Sequence, residues 1–126
     1  MKYLTLNQAI SLHDGVLEKM GGLIGYNNAQ IGYLASALEN IKNDLYYPSI
    51  AEKVTHLMFS CVKFHPFLDG NKRSAIMLSK AFLIINEVVF DKDSFYEFME
   101  NIVVSVADGS ISKEKLQEIF ENLLKI

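Results

Sequence analysis

The segment FHPFLDGNKRS, Phe64 to Ser74, sets His65, Asp69, Asn71, Lys72 and Arg73 within nine residues, with Pro66 and Gly70 among them. Of the twelve basic residues in the chain, eleven are lysine, and the one arginine, Arg73, lies in this segment. His65 precedes a proline, so a helix arriving from the N-terminal side must end near Phe64. A strongly apolar helix starts near Gly70. Its first amide N–H groups have no intrahelical partner, and with the helix dipole they favour an anion. Gly70 lets a phosphate approach the backbone, and Asn71 can offer side-chain amide hydrogens. Arg73 supplies a planar fork for two phosphate oxygens and Lys72 a mobile point charge. Asp69, the one carboxylate of the segment, suits Mg²⁺, which takes one or two carboxylates plus phosphate oxygens and water. An unperturbed histidine titrates near neutrality, so His65 can accept a hydroxyl proton. Together these are the parts for transfer from a nucleotide to a hydroxyl, a reaction that needs mainly positioning and charge stabilisation. The same residues also read as a plain interhelical cap at Asp69-Gly70-Asn71 with Lys72 and Arg73 solvated, and composition alone leaves both readings open.

The elements that must position this segment are helical. Leu6, Ile10, His13, Leu17 and Met20 recur at helical spacing behind a capping box at Thr5–Gln8, and Gly21-Gly22 should stop that helix. GGLIGYNN then reads as a loop or short hairpin. A second helix carries Ile31, Leu34, Leu38, Ile41 and Leu45 and ends before Pro48. A third carries Ile50, Val54, Leu57, Met58 and Cys61. The fourth, about Gly70 to Asn86, is apolar almost all round and belongs in the middle of a bundle. VVFD is expected as a short extended piece. A capping box at Ser94–Glu97 should open a fifth helix with Phe95, Phe98, Met99, Ile102 and Val106 inward. A sixth follows ADGS, with Leu116, Ile119, Phe120, Leu123 and Leu124. The expected fold is therefore all-α, a bundle of about six helices in a single domain over residues 1–126.

The bulk numbers narrow the class. Half of the 126 residues are apolar, enough for a real core, and the formal charge of −3 argues against a general nucleic-acid binder. One cysteine, Cys61, has no pair, which fits a reducing cytoplasm. The N-terminus has no signal-peptide core, and the run AFLIINEVVF is broken by Asn86 and Glu87 and is too short to span a bilayer. His13, on the apolar stripe, is expected as a core histidine, and His56 as structural or surface. Glu52 and Lys53 are expected on a solvated face, and Cys61 in packing.

HPFLDGNKR resembles the signature of the Fic/Doc family, His-x-Phe-x-(Asp/Glu)-(Gly/Ala)-Asn-x-(Arg/Lys), and the death-on-curing (Doc) branch in particular. LHDGVLEKMGGLIG resembles that branch's opening, YYPSIAEKVTHLMFSCVKFHPF its helix into the signature, and FLIINEVVF the segment after it. The resemblance implies a Fic-like bundle with GGLIGYNN as its flap, along which a target segment can lie as an added strand. It makes His65 the base toward a target hydroxyl, Asp69 the Mg²⁺ ligand, Gly70 and Asn71 the start of the anion-binding helix, Arg73 a phosphate contact and Phe67 structural.

AMP-transferring members of the family have a second glycine where Lys72 stands and a second arginine where Ile76 stands. Doc-like members share the lysine and lack that arginine, and there the nucleotide is taken in the opposite sense, so the γ-phosphate moves. A long cation at position 72 fills space the α-phosphate would use, and Ile76 cannot clamp distal phosphates. The expectation is thus an ATP- and Mg²⁺-dependent kinase acting on a Ser or Thr hydroxyl of a translation factor, with elongation factor Tu as the implied target. The competing readings are an adenylyltransferase on the same scaffold and a non-catalytic antitoxin-binding module. Phe64 departs from the Doc pattern, which has a polar residue before the histidine. The inhibitory pattern (Ser/Thr)-x-x-x-Glu-(Gly/Asn) is missing: Ala35, Tyr96 and Gln117 stand four residues before the glutamates of the three Glu-Asn pairs. Restraint should then come from a separate antitoxin chain, binding as an apolar helix in a groove near the site, with neither nucleic acid nor membrane as a direct partner.

Overall fold

The structure, a computed structural model, describes residues 1–125. Six helices follow in order: α1 (Leu6–Met20), α2 (Ile31–Asn40), α3 (Ile50–Phe64), α4 (Asn71–Ile85), α5 (Phe95–Ala107) and α6 (Lys113–Leu124). Among the described residues the sole β pairing is an isolated antiparallel bridge between Tyr26 and Phe67. The fold is an all-α bundle, and GGLIGYNN is a loop pinned to the signature segment, not a hairpin paired with itself.

Helix ends follow local chemistry. The Thr5 hydroxyl accepts from the Gln8 amide at 3.1 Å and the Gln8 side chain accepts from the Thr5 amide at 2.9 Å, the reciprocal box expected. Ser49 caps α3 through the Glu52 amide at 3.2 Å, and Ser112 caps α6 through the Lys115 amide at 3.1 Å. The expected box at Ser94 does not form. Its backbone is already helical (φ −94°, ψ −5°) and its amide donates to Asp91 Oδ1 at 3.2 Å. Asp91 thereby turns the chain at residues 92–94, and VVFD before it joins no strand, with a bend at Phe90 and Val89 exposed.

α3 and α4 form the centre. α3 packs against α2, α4, α5 and α6, and α4 packs against α1, α3 and α5. Their contact is filled by Val54, Leu57, Met58 and Cys61 from α3 and by Ala75, Leu78 and Phe82 from α4, all fully buried. Burial pushes the Cys61 thiol up to about 12, so it packs and does not react. Three expectations about faces fail. α2 ends at Asn40, which leaves Leu45 90% exposed. On α5, Val103 is buried where Phe98 was expected, since Phe95, Met99, Val103 and Val106 make the narrower stripe that a helix lying on two neighbours needs.

Lys53 corrects the third. It is 1% exposed, not solvated. Its ammonium donates to Asp44 Oδ1 at 2.6 Å and to the Ile41 carbonyl, and lies 5.5 Å from the Tyr3 ring centre. Burial works against its charge, but the hydrogen bonds with Asp44 and Tyr3 outweigh it and hold the ammonium above the ordinary lysine range. Lysine's long stem lets a residue on the apolar face of α3 reach a carboxylate on the loop after α2.

His56 is a second polar joint. Its Nδ1 accepts from Lys113 Nζ at 2.8 Å, tying α3 to the start of α6. Burial first, and Lys113 second, push the ring down to about 4 from the usual 6.5. In the unfolded chain the ring takes a proton below about 6.5, whereas in the fold it resists until about 4. The unfolded state therefore binds more protons across this window, and stability falls as pH drops through it. After allowance for screening of a half-exposed ring, the loss should be about 1–2 kcal/mol. Urea unfolding at pH 7 and pH 4.5 checks it: His56→Gln should flatten the difference, and an equal slope in the variant removes His56 as its source.

Candidate active site

The site is the turn between the two central helices. α3 ends at Phe64, and His65 takes the left-handed conformation (φ 48°, ψ 58°) that swings the chain into Pro66. A non-glycine residue there costs about 1–2 kcal/mol, and such strain gathers where a side chain must be aimed. The His65 side chain is exposed, and among the described residues no hydrogen bond fixes its ring. Phe64 before it is 41% exposed and stacks on Tyr33 of α2, with ring centres 4.5 Å apart.

Every following backbone step is tied down. The Pro66 carbonyl accepts from the Asn27 amide at 2.9 Å, and the Leu68 amide donates to the Gly25 carbonyl at 3.1 Å. Asn71 grips Phe67 from both sides: its Oδ1 accepts from the Phe67 amide and its Nδ2 donates to the Phe67 carbonyl, each at 2.9 Å. The Asn71 side chain thus gives α4 a fixed start, and one of its two Nδ2 hydrogens goes to the loop. Phe67 is 2% exposed and plugs the core as expected.

Gly70 caps α4 at φ 70°. A Cβ built there would sit 2.8 Å from Leu17 Cδ2, so the glycine is required by the left-handed backbone and by α1 packing behind it. The requirement lies on the core side of the loop, not on the side of an approaching phosphate.

The Asp69 carboxylate accepts from the Leu23 amide at 3.1 Å (Oδ2) and from the Gly70 amide at 2.8 Å (Oδ1). The Leu23 amide first, then that of Gly70, hold its carboxyl below the usual range, with Arg73 and His13 adding to the effect. Asp69 is therefore ionised at neutral pH. Arg73 Nη1 donates to the Gly21 carbonyl at 3.4 Å. The flap thus starts against Asp69 and Arg73 and ends against Leu68 and Pro66, next to His65. Gly22 must be glycine, since a Cβ would lie 2.9 Å from Asp69 Oδ2. Lys72 is exposed and borders, with Arg73, Ile76, Tyr96 and Glu100, a hollow of about 170 Å³ between α4 and α5.

His13 holds the loop from beneath. It is 1% exposed and stacks on Phe67, with ring centres 3.8 Å apart and planes 5° from parallel. Its Nε2–H donates to the Asp69 carbonyl at 2.7 Å, and its Nδ1 is hydrogen-bonded with Asp14 Oδ1 at 2.8 Å. Asp14 Oδ1 also accepts from the Gly25 amide at 3.4 Å. Gly22 and Leu23 were anticipated only as part of the flap, and Asp14 was not anticipated as part of the site. The segment LHDGVLEKMGGLIG holds all three, but its resemblance to the Doc opening gave them no role, and the apolar stripe pointed His13 only to the core.

A buried aromatic plug, an ionised carboxylate just before a central helix, a single arginine in that helix's first turn and an exposed histidine on left-handed backbone thus lie together on one turn of a helical bundle. The sequence profile of the Fic/DOC family matches residues 3–83, which contain all of these groups, and the chain belongs to that family. It is also similar to the protein kinase Doc of Escherichia phage P1, 27% identical over 128 residues that cover 98% of this chain and 96% of that protein.

Proposed function

We propose that this chain is a Doc-type toxin that phosphorylates a Ser or Thr hydroxyl of a translation factor, using ATP and Mg²⁺, with the whole of residues 1–126 acting as one domain. The observation that carries this is the flap joining Asp69 and Arg73 at one end to the neighbourhood of His65 at the other, which brings anion-binding and proton-accepting groups along one strip. Nearly full-length similarity to a protein kinase supports phosphoryl transfer. Elongation factor Tu as the target rests on resemblance to the Doc branch.

In this reading His65 takes the hydroxyl proton as the hydroxyl oxygen bonds to the γ-phosphorus. The bond from that phosphorus to its bridging oxygen breaks, and ADP leaves. Amides at the start of α4, from Asn71 onward, and the Arg73 guanidinium hold phosphate oxygens, Lys72 adds a mobile cation, and Gly70, whose own amide goes to Asp69, lets the chain turn into the helix. Asp69 is the residue that would hold Mg²⁺. No group of three or more His, Cys, Asp or Glu gathers among the described residues, so the donor set is one carboxylate completed by phosphate and water, which Mg²⁺ accepts. Bound there, the ion would neutralise charge on the phosphates. Ile76 borders the hollow beside Lys72 and Arg73 but carries no charge to clamp a phosphate, which supports the kinase over the adenylyltransferase.

An antitoxin is the proposed restraint. A groove between α1 and α4, with hollows of about 460 and 550 Å³, is lined largely by Leu4, Leu12, Val16, Met77 and Ile85 and ends at Met20, beside the flap. Its width and apolar lining suit one amphipathic helix of a partner chain. No described helix is long and apolar enough to cross a membrane, and the cytoplasm is the proposed location.

Incubating the protein with Mg²⁺, bacterial lysate and ATP labelled at the α or the γ phosphate tests the reading. A protein band labelled only from γ is the expected result. Label only from α means adenylyl transfer, and none from either moves the assignment to a non-catalytic antitoxin-binding module.

A further inference from the structure

We infer that His13, oriented by Asp14, is a positioning residue that sets the aim of Asp69. The inference rests on the phosphotransfer reading above for its consequence, but not for its geometry. Asp69 is the one carboxylate of the loop, and its side chain is exposed. The amides of Leu23 and Gly70 that hold its carboxylate belong to the flap and to its own next residue. What fixes its backbone from a rigid element is the 2.7 Å bond from His13 Nε2 to its carbonyl.

His13 is well suited to that task. It sits on α1, is buried, and is clamped flat against Phe67, which Asn71 grips in turn. The 2.8 Å bond to Asp14 fixes the ring's rotation, as the outer partner of a metal-ligating histidine does elsewhere. Because Asp14 also accepts the Gly25 amide, one carboxylate sets both the floor of the loop and the flap that crosses it. Two segments far apart in the chain are thereby placed by two neighbouring residues of one helix.

Two substitutions separate positioning from packing. In His13→Gln the amide can keep a donor near the position of Nε2. His13→Leu fills the apolar space but has no donor. Positioning predicts that the Gln variant keeps most of the transfer activity. The Leu variant should lose about tenfold or more in kcat and need more Mg²⁺ for half-maximal rate, the size seen when an outer partner of a metal-ligating group is removed. Packing alone predicts the reverse order, and a Leu variant as active as the Gln variant overturns the inference. Should neither His13 variant fold, Asp14→Ala decides: wild-type kcat and Mg²⁺ dependence would refute it. Amide exchange at residues 67–71, read without nucleotide, should quicken in the Leu or the Asp14→Ala variant. Unchanged exchange rejects the inference even if the wild type transfers no phosphate, and quickened exchange in a silent protein supports it while the kinase reading falls.

Discussion

His65→Ala should lower phosphoryl transfer by about 10²–10⁴-fold, the range for loss of a positioned general base, while leaving the unfolding free energy within about 0.5 kcal/mol. The two halves of this expectation come from the same facts. The ring is exposed and, among the described residues, without a hydrogen-bond partner, so the fold loses no buried contact with it. Alanine is still a non-glycine residue at φ 48°, so the backbone strain stays as it was. A side chain that contributes nothing to stability, held on a strained backbone at the mouth of an anion site, is expected to act in the chemistry. Single-turnover transfer and a thermal melt on the same preparation check it. An alanine variant that transfers at the wild-type rate would take the base assignment away from His65.

Gly70→Ala should destabilise the protein by about 2–4 kcal/mol: roughly 1–2 for the left-handed backbone and about 1–3 for overpacking against Leu17, less any overlap. For a domain of this size that corresponds to a fall of roughly 10 °C in the melting midpoint. The new methyl would meet Leu17 Cδ2 at 2.8 Å, so the clash is with one identifiable side chain. Combining it with Leu17→Ala should therefore cost less than the sum of the two single changes, because the second removes what the first strikes. Strict additivity in thermal or urea unfolding would show that the cost lies in the backbone alone.

Much of this architecture is legible in the sequence, for a physical reason. Helices whose apolar residues repeat at helical spacing, as Val54, Leu57, Met58 and Cys61 do, declare both their type and their buried face. Errors arise where a side chain reaches beyond its own helix. Lys53 reads as a surface lysine because its partner, Asp44, lies on another element. Ser94 reads as a cap, but Asp91 three residues earlier captures its amide first. In the site, the signature segment announces which groups are present, and not how they are spent. Asn71 looks free to bind a ligand, but its oxygen and one of its amide hydrogens are bonded to Phe67. His13 looks like a core residue, and is one, but its Nε2 hydrogen bond runs to a loop 56 positions away in the chain. Such links become visible only when the chain is folded, because nothing local encodes them.

Between Pro66 and Asp69 the backbone has no slack. Gly25 and Asn27 of the flap, His13 of α1 and Asn71 of α4, three separate places in the chain, together hold the amides or carbonyls of Pro66, Phe67, Leu68 and Asp69. Surface turns ordinarily tolerate an added or missing residue; here either change would break several of these bonds at once and shift both central helices. Substitutions this turn should absorb are those of outward side chains such as Leu68, 51% exposed, whose shape can change while the turn's length cannot.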